Sequence, residues 1–116
     1  MMQDLHYSIQ IRLFRDEKFF GPGIVELLQR VDQRHSLRAA AIEMGMAYSK
    51  AWRLIKTAEE NLECKLLNST TGGKGGGGAE LTQECRAFME KYLRFEAQVR
   101  AYSEKAFAHV FQNETT

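Results

Sequence analysis

Apolar side chains occupy every second position from Tyr7 to Leu13, with polar side chains between them. This period of two is typical of a strand with one buried face, and it predicts a strand over about residues 5–14. A polar turn at residues 16–18 separates this strand from Phe19-Phe20, a short return strand. The pattern therefore predicts an amino-terminal β-hairpin that ends at Gly21-Pro22-Gly23.

Three amphipathic helices are predicted next, because apolar residues recur at three- and four-residue intervals. The first helix covers about residues 23–34. The second begins after Ser36, whose hydroxyl can accept a hydrogen bond from a free N–H group of the first turn. It ends at Gly45, a residue suited to the left-handed conformation that often closes a helix. The third runs from after Ala47 to about Leu62.

A short alanine-rich helix, a tight turn at a glycine and a longer helix form the pattern of a helix-turn-helix. The exposed start of the second helix of such a motif enters the major groove of DNA. Here that start offers Tyr48, Ser49 and Lys50, with Arg53 one turn further on. Hydroxyls and cations suit phosphates, and Lys or Arg also suits guanine edges. A helical hairpin with a solvated basic face is the alternative.

The opposite side of the third helix is apolar and consists of Trp52, Ile55, Ala58 and Leu62. This periodicity assigns Trp52 to the core. Tyr48 fits either a DNA contact or a packing role.

A second hairpin is predicted after the third helix. Residues 65–71 have strand character, residues 72–78 form a glycine-rich loop, and residues 79–81 provide the return strand. Thr82 can cap a long last helix over about residues 83–111, which contains neither Gly nor Pro.

Apolar residues of the last helix are spaced alternately four and three positions apart from Leu81 to Ala106. This heptad spacing is typical of a helix that pairs with another helix. A helix of about 28 residues is about 42 Å long at ~1.5 Å per residue, longer than such a small domain is wide. We therefore predict dimerisation, with packing within the chain as the alternative. The residues predicted to form the dimer contact are Phe88, Tyr92, Phe95, Val99 and Tyr102.

Composition narrows the class of protein. The chain has 116 residues, of which 44% are hydrophobic and 27% charged, as in an ordinary folded domain. The net charge is only +1, but residues 30–56 carry six cations and two acids, a local excess that favours phosphate binding. No apolar run approaches the ~20 residues of a membrane span, and the amino terminus lacks signal-peptide features. We expect a cytoplasmic protein that does not enter the membrane.

Catalytic, cofactor and metal sites are not expected. Glycines of the loop match the Gly-x-Gly-x-x-Gly pattern, but the strand-helix-strand unit of a dinucleotide site is missing. Lys74 is followed by Gly75 instead of the Ser or Thr of a phosphate-binding P-loop. Cys64 and Cys85 are the only cysteines, and we interpret them as ordinary thiols. The loop instead fits a backbone approach to DNA aided by Lys74, with a disordered linker as the alternative.

Two segments resemble the ModE family of molybdate-responsive regulators. Gly45-Met46-Ala47-Tyr48-Ser49-Lys50-Ala51-Trp52 is similar to that family's Gly-Met-Ser-Tyr-x-x-Ala-Trp stretch. Residues 71–82 resemble its wing, Thr-Gly-Gly-(Lys/Arg)-Gly-Gly-Gly-Gly-Ala-x-Leu-Thr. The resemblance covers about residues 5–100 and implies a winged helix, related to LysR-type regulators, that dimerises through its long helix.

The chain departs from the ModE pattern in two ways. Ala47 stands where the family commonly has Ser, so the recognition helix loses its usual cap, a change that costs ~1 kcal/mol in general. The molybdate-binding domains of full-length members follow this region, and the sequence ends at Thr116 without an apparent oxyanion pocket. We expect DNA binding without a molybdate-binding domain.

Together these patterns predict an α+β protein, a winged helix-turn-helix with an amino-terminal β-hairpin and a long carboxy-terminal dimerisation helix. Residues 1–82 would form the DNA-binding domain and residues 83–116 the dimerisation helix and a short tail. The expected partners are double-stranded operator DNA and a second copy of the chain. The alternative is a dimerisation or interaction module without DNA specificity that binds a separate effector subunit. The residues predicted to contact DNA are Ser36, Arg38, Tyr48, Ser49, Lys50, Arg53, Lys56, Thr71, Lys74, Gly75 and Gly76.

Overall fold

The computed structural model describes residues 4–70 and 78–112. Two short antiparallel hairpins flank three helices, and a long helix follows the second hairpin. The elements are β1 (Leu13–Phe14), β2 (Lys18–Phe20), α1 (Pro22–Arg34), α2 (Leu37–Glu43), α3 (Tyr48–Leu62), β3 (Leu67–Thr70), β4 (Gly78–Leu81) and α4 (Gln83–Phe107), which continues as a π-helical segment, Ala108–Gln112. This architecture confirms the predicted α+β winged helix with its long last helix.

Local capping signals set the helix ends where the sequence predicts them. The hydroxyl of Ser36 accepts a hydrogen bond from Ala39 N at 3.0 Å, and that of Thr82 accepts one from Cys85 N at 3.0 Å. Gly45 has a φ of +67°, the left-handed conformation that lets the chain turn between α2 and α3. Ala47 provides no side-chain cap at the start of α3, as expected from its methyl group.

The core lies where α1, α2, α3 and the beginning of α4 meet. Ala40 and Ala41 of α2 and Ala51 of α3 are at most 1% exposed, and their small side chains let the helices pack closely. Phe20 of the first hairpin packs edge-on against two rings of α4, Phe88 at 4.8 Å and Tyr92 at 5.3 Å between ring centroids. The buried side chains contributed by α1 are Ile24, Val25, Leu27, Leu28 and Val31.

Most of the first predicted strand, residues 5–14, does not form a β-strand, but its predicted alternation of buried and exposed side chains is present. Only Leu13–Phe14 pair with β2, although the apolar residues from Tyr7 onward are half-buried and the polar residues between them are exposed. The extended segment 5–12 lies against α4 instead of another strand. Tyr92 Oη donates to the carbonyl oxygen of Ile11 at 2.7 Å, and Arg100 Nη2 donates to that of Ile9 at 2.8 Å. Side chains of a helix thus replace the backbone partners of a β-ladder.

The second hairpin closes on the helical core at its base. In its register Leu67 faces Leu81, Asn68 faces Glu80, Ser69 faces Ala79 and Thr70 faces Gly78. Thr82 Oγ1 donates to the carbonyl oxygen of Lys65 at 2.7 Å, and Ala79 N donates to the carbonyl oxygen of His35 at 3.0 Å. Both bonds tie the hairpin to the ends of neighbouring helices.

Candidate nucleic-acid interface

The amino-terminal half of α3 is the most exposed part of the helix-turn-helix. Tyr48, Ser49, Lys50 and Arg53 are all exposed, while Ala51 is fully buried beneath them. The core holds α3 by Ala51, Ile55 and Ala58, so the opposite side of the helix is free to enter a groove.

Trp52 is exposed, and its assignment to the core is wrong. The side chain is 49% exposed, because Trp52 lies about 100° around the helix from Ala51, which occupies the core-facing position. Lys56 Nζ lies over the indole ring at 5.3 Å from its centroid. This face of α3 therefore presents an aromatic ring and a neighbouring cation to solvent. The small side chains of Ala51 and Ala58, which allow close helix packing, were the sequence signal for the core-facing side of α3.

Arg38 and Tyr48 connect α2 to the start of α3. The Arg38 guanidinium carbon lies 4.4 Å from the centroid of the Tyr48 ring, and both side chains are exposed. The ring is 40% exposed, so it serves the inter-helix contact and still presents an edge to solvent. Both readings of Tyr48, packing and surface contact, therefore agree with its position.

A groove of about 410 Å³ runs between the start of α2, the exposed side of α3 and the strand β3. It brings together four residues predicted to contact DNA and four polar or aromatic residues that were not predicted to do so. Predicted residues lining it are Ser36, Arg38, Tyr48 and Lys56, and further lining residues include Trp52, Lys65, Asn68 and Ser69. The polar pair Asn68-Ser69, placed in the strand after the recognition helix, was the available signal for the missed wing residues.

The base of the second hairpin, residues 67–69 and 78–79, borders this groove. Thr71, Lys74, Gly75 and Gly76, predicted to contact DNA, lie outside the described residues. Their role stays a prediction.

Ion pairing separates the basic residues of segment 30–56 into two groups. Arg30 lies 2.7 Å from Glu26 Oε2 and 3.0 Å from Glu43 Oε1, and hydrogen bonds to both carboxylates raise its pKa. Arg34 also pairs with Glu43, so the α1 side of the motif is largely neutralised.

The basic residues near the start of α3 keep their charge available. In the described ranges, 4–70 and 78–112, Arg38, Lys50 and Arg53 form no ion pair, and Lys56 has one contact of 3.4 Å to Glu59. The local positive field thus faces outward from α2 and α3, the arrangement needed to attract a polyanion.

The residues predicted to form a dimer contact divide into two sets. Phe88 and Tyr92 pack on Phe20 within the chain, so they belong to its own core. Phe95 and Tyr102 are 50% and 73% exposed, and Val99 is half-buried. The distal part of the seam is therefore the part available to a partner.

Three further findings on the described residues concern metal ligands, thiol reactivity and helix hydropathy. In that part of the chain no three His, Cys, Asp or Glu side chains converge on a point where they could hold a metal ion. Burial raises the pKa of the Cys85 thiol to about 12, which keeps it protonated and unreactive at neutral pH. No helix among residues 4–70 and 78–112 combines the length and hydropathy needed to cross a membrane.

Several known proteins are similar to this chain in sequence. The Escherichia coli K12 protein named DNA-binding transcriptional dual regulator ModE is 32% identical over 99 residues, which cover 84% of this chain and 36% of the relative. The transcriptional regulator ModE of Haemophilus influenzae is 32% identical over 114 residues, covering 98% of this chain and 42% of the relative. The molybdenum transport protein ModE of Herbaspirillum seropedicae is 39% identical over 67 residues, covering 58% and 23%.

These relatives confirm the resemblance to ModE proteins over most of the chain, which spans less than half the length of each of the three. A family model described as bacterial regulatory helix-turn-helix protein, lysR family, matches residues 24–86, more than half of the 116 residues. The matched range contains most of α1, the helix-turn-helix, the second hairpin and the start of α4. The chain therefore belongs to the lysR family of bacterial regulatory helix-turn-helix proteins.

Proposed function

We propose that the chain binds double-stranded DNA sequence-specifically and regulates transcription, with α3 inserted in the major groove. The observation that carries this proposal is the exposed start of α3, where Lys50 and Arg53 form no ion pair in the described part of the chain and Ser49 is exposed beside them. Side chains at the start of a recognition helix reach base edges, and cations with free donors suit guanine. Membership of a regulatory helix-turn-helix family supports the same function.

The groove beside α3 supports a second set of contacts to the DNA backbone. Arg38 and Lys65 supply positive charge there, and Ser36, Asn68 and Ser69 supply polar groups. Such groups bind phosphate oxygens and fix the register of the protein on the duplex. Thr71, Lys74, Gly75 and Gly76 would extend these contacts into the wing. A regulator of this kind acts in the cytoplasm, where a bacterial chromosome lies.

The names of the relatives bear on the target genes. Two of the three compared relatives are named as transcriptional regulators, and the third as a molybdenum transport protein. By this likeness, genes of molybdenum handling are the first candidates for regulation by the chain. Selection of bound duplexes from a random pool by the purified protein would define the operator directly.

Replacing Arg53 by Ala tests the proposal. If Arg53 reads a base, affinity for the selected duplex falls by ~1–3 kcal/mol and the preference at one base pair relaxes. If it binds only phosphate, affinity falls evenly for all duplexes and the salt dependence decreases by about one unit. Arg94→Ala is the matched control, because Arg94 is exposed on α4 and lies away from α3.

Fluorescence anisotropy with a selected and an unselected duplex at several salt concentrations measures both effects. Wild-type affinity and salt dependence in the Arg53→Ala variant would remove Arg53 from the interface. A wild-type protein without salt-dependent DNA binding would favour the alternative, an interaction module that binds a separate effector subunit.

We further propose a homodimer held by the distal half of α4. The molecule is elongated, 66 × 27 × 22 Å, and the exposed rings of Phe95 and Tyr102 lie about two helical turns apart on one side of α4. Exposed aromatic residues in a heptad register suit a second helix. A dimer would place two recognition helices on half-sites ~34–36 Å apart, and the linkage of the two subunits would make the second contact intramolecular.

The double variant Phe95→Asp/Tyr102→Asp tests the dimer, because it leaves the core rings Phe88 and Tyr92 in place. We expect a folded monomer by light scattering and circular dichroism, with affinity for the operator near the non-specific range of ~10⁻⁴–10⁻⁶ M. Ile42→Asp is the control, since Ile42 is 70% exposed on α2 and outside the seam. A monomeric wild type, or a double variant that stays dimeric, would refute this role of α4.

A further inference from the structure

A second basic groove lies on the other side of α3, where the first hairpin faces the helix. It has a volume of about 480 Å³ and lies between residues 10–24 and the polar flank of α3. Its cations come from both elements: Arg12 and Lys18 from the hairpin, and Lys50 and Arg53 from α3. All four side chains are exposed. The first hairpin was predicted only as a structural element, and the proposed recognition of DNA by α3 does not use it.

The charges of this groove are not balanced within the chain. None of its four cations forms an ion pair among residues 4–70 and 78–112. Glu17 is the one carboxylate that lines it, and its Oε2 accepts a hydrogen bond from Asn61 Nδ2 at 3.3 Å. Because the whole chain has a net charge of only +1, four cations around one carboxylate represent a strong local concentration of charge. Such a surface attracts an anionic partner.

The position of the groove selects the kind of anion. A helix with its side chains is about 10–12 Å wide, and the major groove is about 12 Å wide, so an inserted helix has one phosphodiester strand on each side. The groove beside β3 lies on one flank of α3, and the hairpin groove lies on the opposite flank. Trp52 and Lys56 line the first of these grooves, and Lys50 and Thr57 line the second.

We infer that the hairpin groove binds the phosphodiester strand opposite the wing, so that Arg12 and Lys18 clamp the DNA backbone while α3 reads the major groove. This inference rests on the proposed function. It adds a contact region, the first hairpin, that lies mostly before the residues matched by the family model, 24–86. Contacts to phosphates do not depend on base identity, so the hairpin contributes affinity and register but no sequence preference.

Substitution of Lys18 tests the inference with little risk to folding, since its side chain is exposed at the edge of β2. Each neutralised phosphate contributes about 0.9 to the slope of log affinity against log salt. We expect Lys18→Ala to reduce the slope by about 0.9 and Arg12→Ala/Lys18→Ala by about 1.8, equally for a selected and an unselected duplex. Lys105→Ala, on the distal part of α4, is the control and should leave the slope unchanged.

Ethylation interference provides a second measurement: modified phosphates on the strand opposite the wing should block the wild type but not the double variant. Wild-type slopes in the double variant, together with weakened binding by Arg53→Ala, would overturn the hairpin clamp and leave the proposed function intact. A double variant that loses preference for the selected duplex would also overturn it, because the hairpin would then read bases. Failure of the wild type to bind either duplex would refute the proposed function itself.

Discussion

Gly78, the first residue of β4, lies against the backbone of the helical core, and this contact predicts a large effect of a single methyl group. A Cβ at this position would lie 2.7 Å from the carbonyl oxygen of His35 and 2.7 Å from Thr70 Oγ1. The Thr70 side chain can rotate away. The His35 carbonyl cannot move easily, because His35 closes α1 in the left-handed conformation and its N–H donates to the carbonyl oxygen of Val31 at 2.7 Å.

The magnitude of the Gly78→Ala effect follows from these contacts. Overpacking in a well-packed region costs ~1–3 kcal/mol. Displacement of β4 would also weaken the hydrogen bond from Ala79 N to His35 O, now 3.0 Å long, at a cost of ~1 kcal/mol. Alanine also restricts the conformations of the unfolded chain more than glycine does, which offsets ~0.4–1 kcal/mol of this loss of stability. The net loss of unfolding free energy is therefore about 1–3 kcal/mol, and we expect Tm to fall by about 4–12 °C.

Thermal unfolding followed by circular dichroism measures this loss, and Gly23→Ala is the matched control. Gly23 lies in the first turn of α1, and a Cβ there would meet no atom within 4 Å. Gly23→Ala should therefore raise stability by ~0.4–1 kcal/mol. Because the wing base borders the groove beside α3, Gly78→Ala should also weaken DNA binding at temperatures where the variant is folded. A Gly78→Ala protein that melts at the wild-type temperature would refute the docking of β4 on His35.

Two further predictions concern the beginning of α4. Thr82→Val should lower stability by ~1–3 kcal/mol in thermal unfolding, because it removes both the cap on Cys85 N and the hydrogen bond to the Lys65 carbonyl. Thr82→Ser keeps the hydroxyl and should retain most of the stability. Equal losses in both variants would show that the hydroxyl is unimportant. The second prediction concerns the two thiols: in a titration with Ellman's reagent at pH 8, Cys64 should react before Cys85. Cys85 should react slowly because it is buried and burial raises its pKa to about 12. Equal reaction rates would contradict the burial of Cys85.

The helix-turn-helix could be read from the sequence because its signals are local. The caps that Ser36 and Thr82 provide and the turn at Gly45 involve backbone groups within four residues, so these local features do not depend on the rest of the fold. The apolar periodicity of α3 is also local, and α3 begins at Tyr48 and ends at Leu62, as that periodicity predicts. The basic character of the exposed start of α3 follows from the same periodicity.

Long-range packing decided what the local pattern left open. The alternation from Tyr7 to Leu13 predicted one buried face, but a period of two does not identify the partner, and the partner is a helix, α4. Likewise the heptad spacing of α4 marks one continuous apolar side. Only the position of Phe20 shows that the proximal part of this side is packed within the chain.

The sequence by itself determined the order of the elements, the helix ends and the residue types offered by the recognition helix, because hydrogen-bonding caps and apolar periodicity act over a few residues. The tertiary structure alone decided which cations are paired with a carboxylate, since Arg30 and Arg34 meet Glu43 only after α1 and α2 pack together. It also exposed Trp52 and placed the first hairpin beside α3. Burial and ion pairing depend on neighbours that are distant in sequence, so a local sequence pattern does not predict either property.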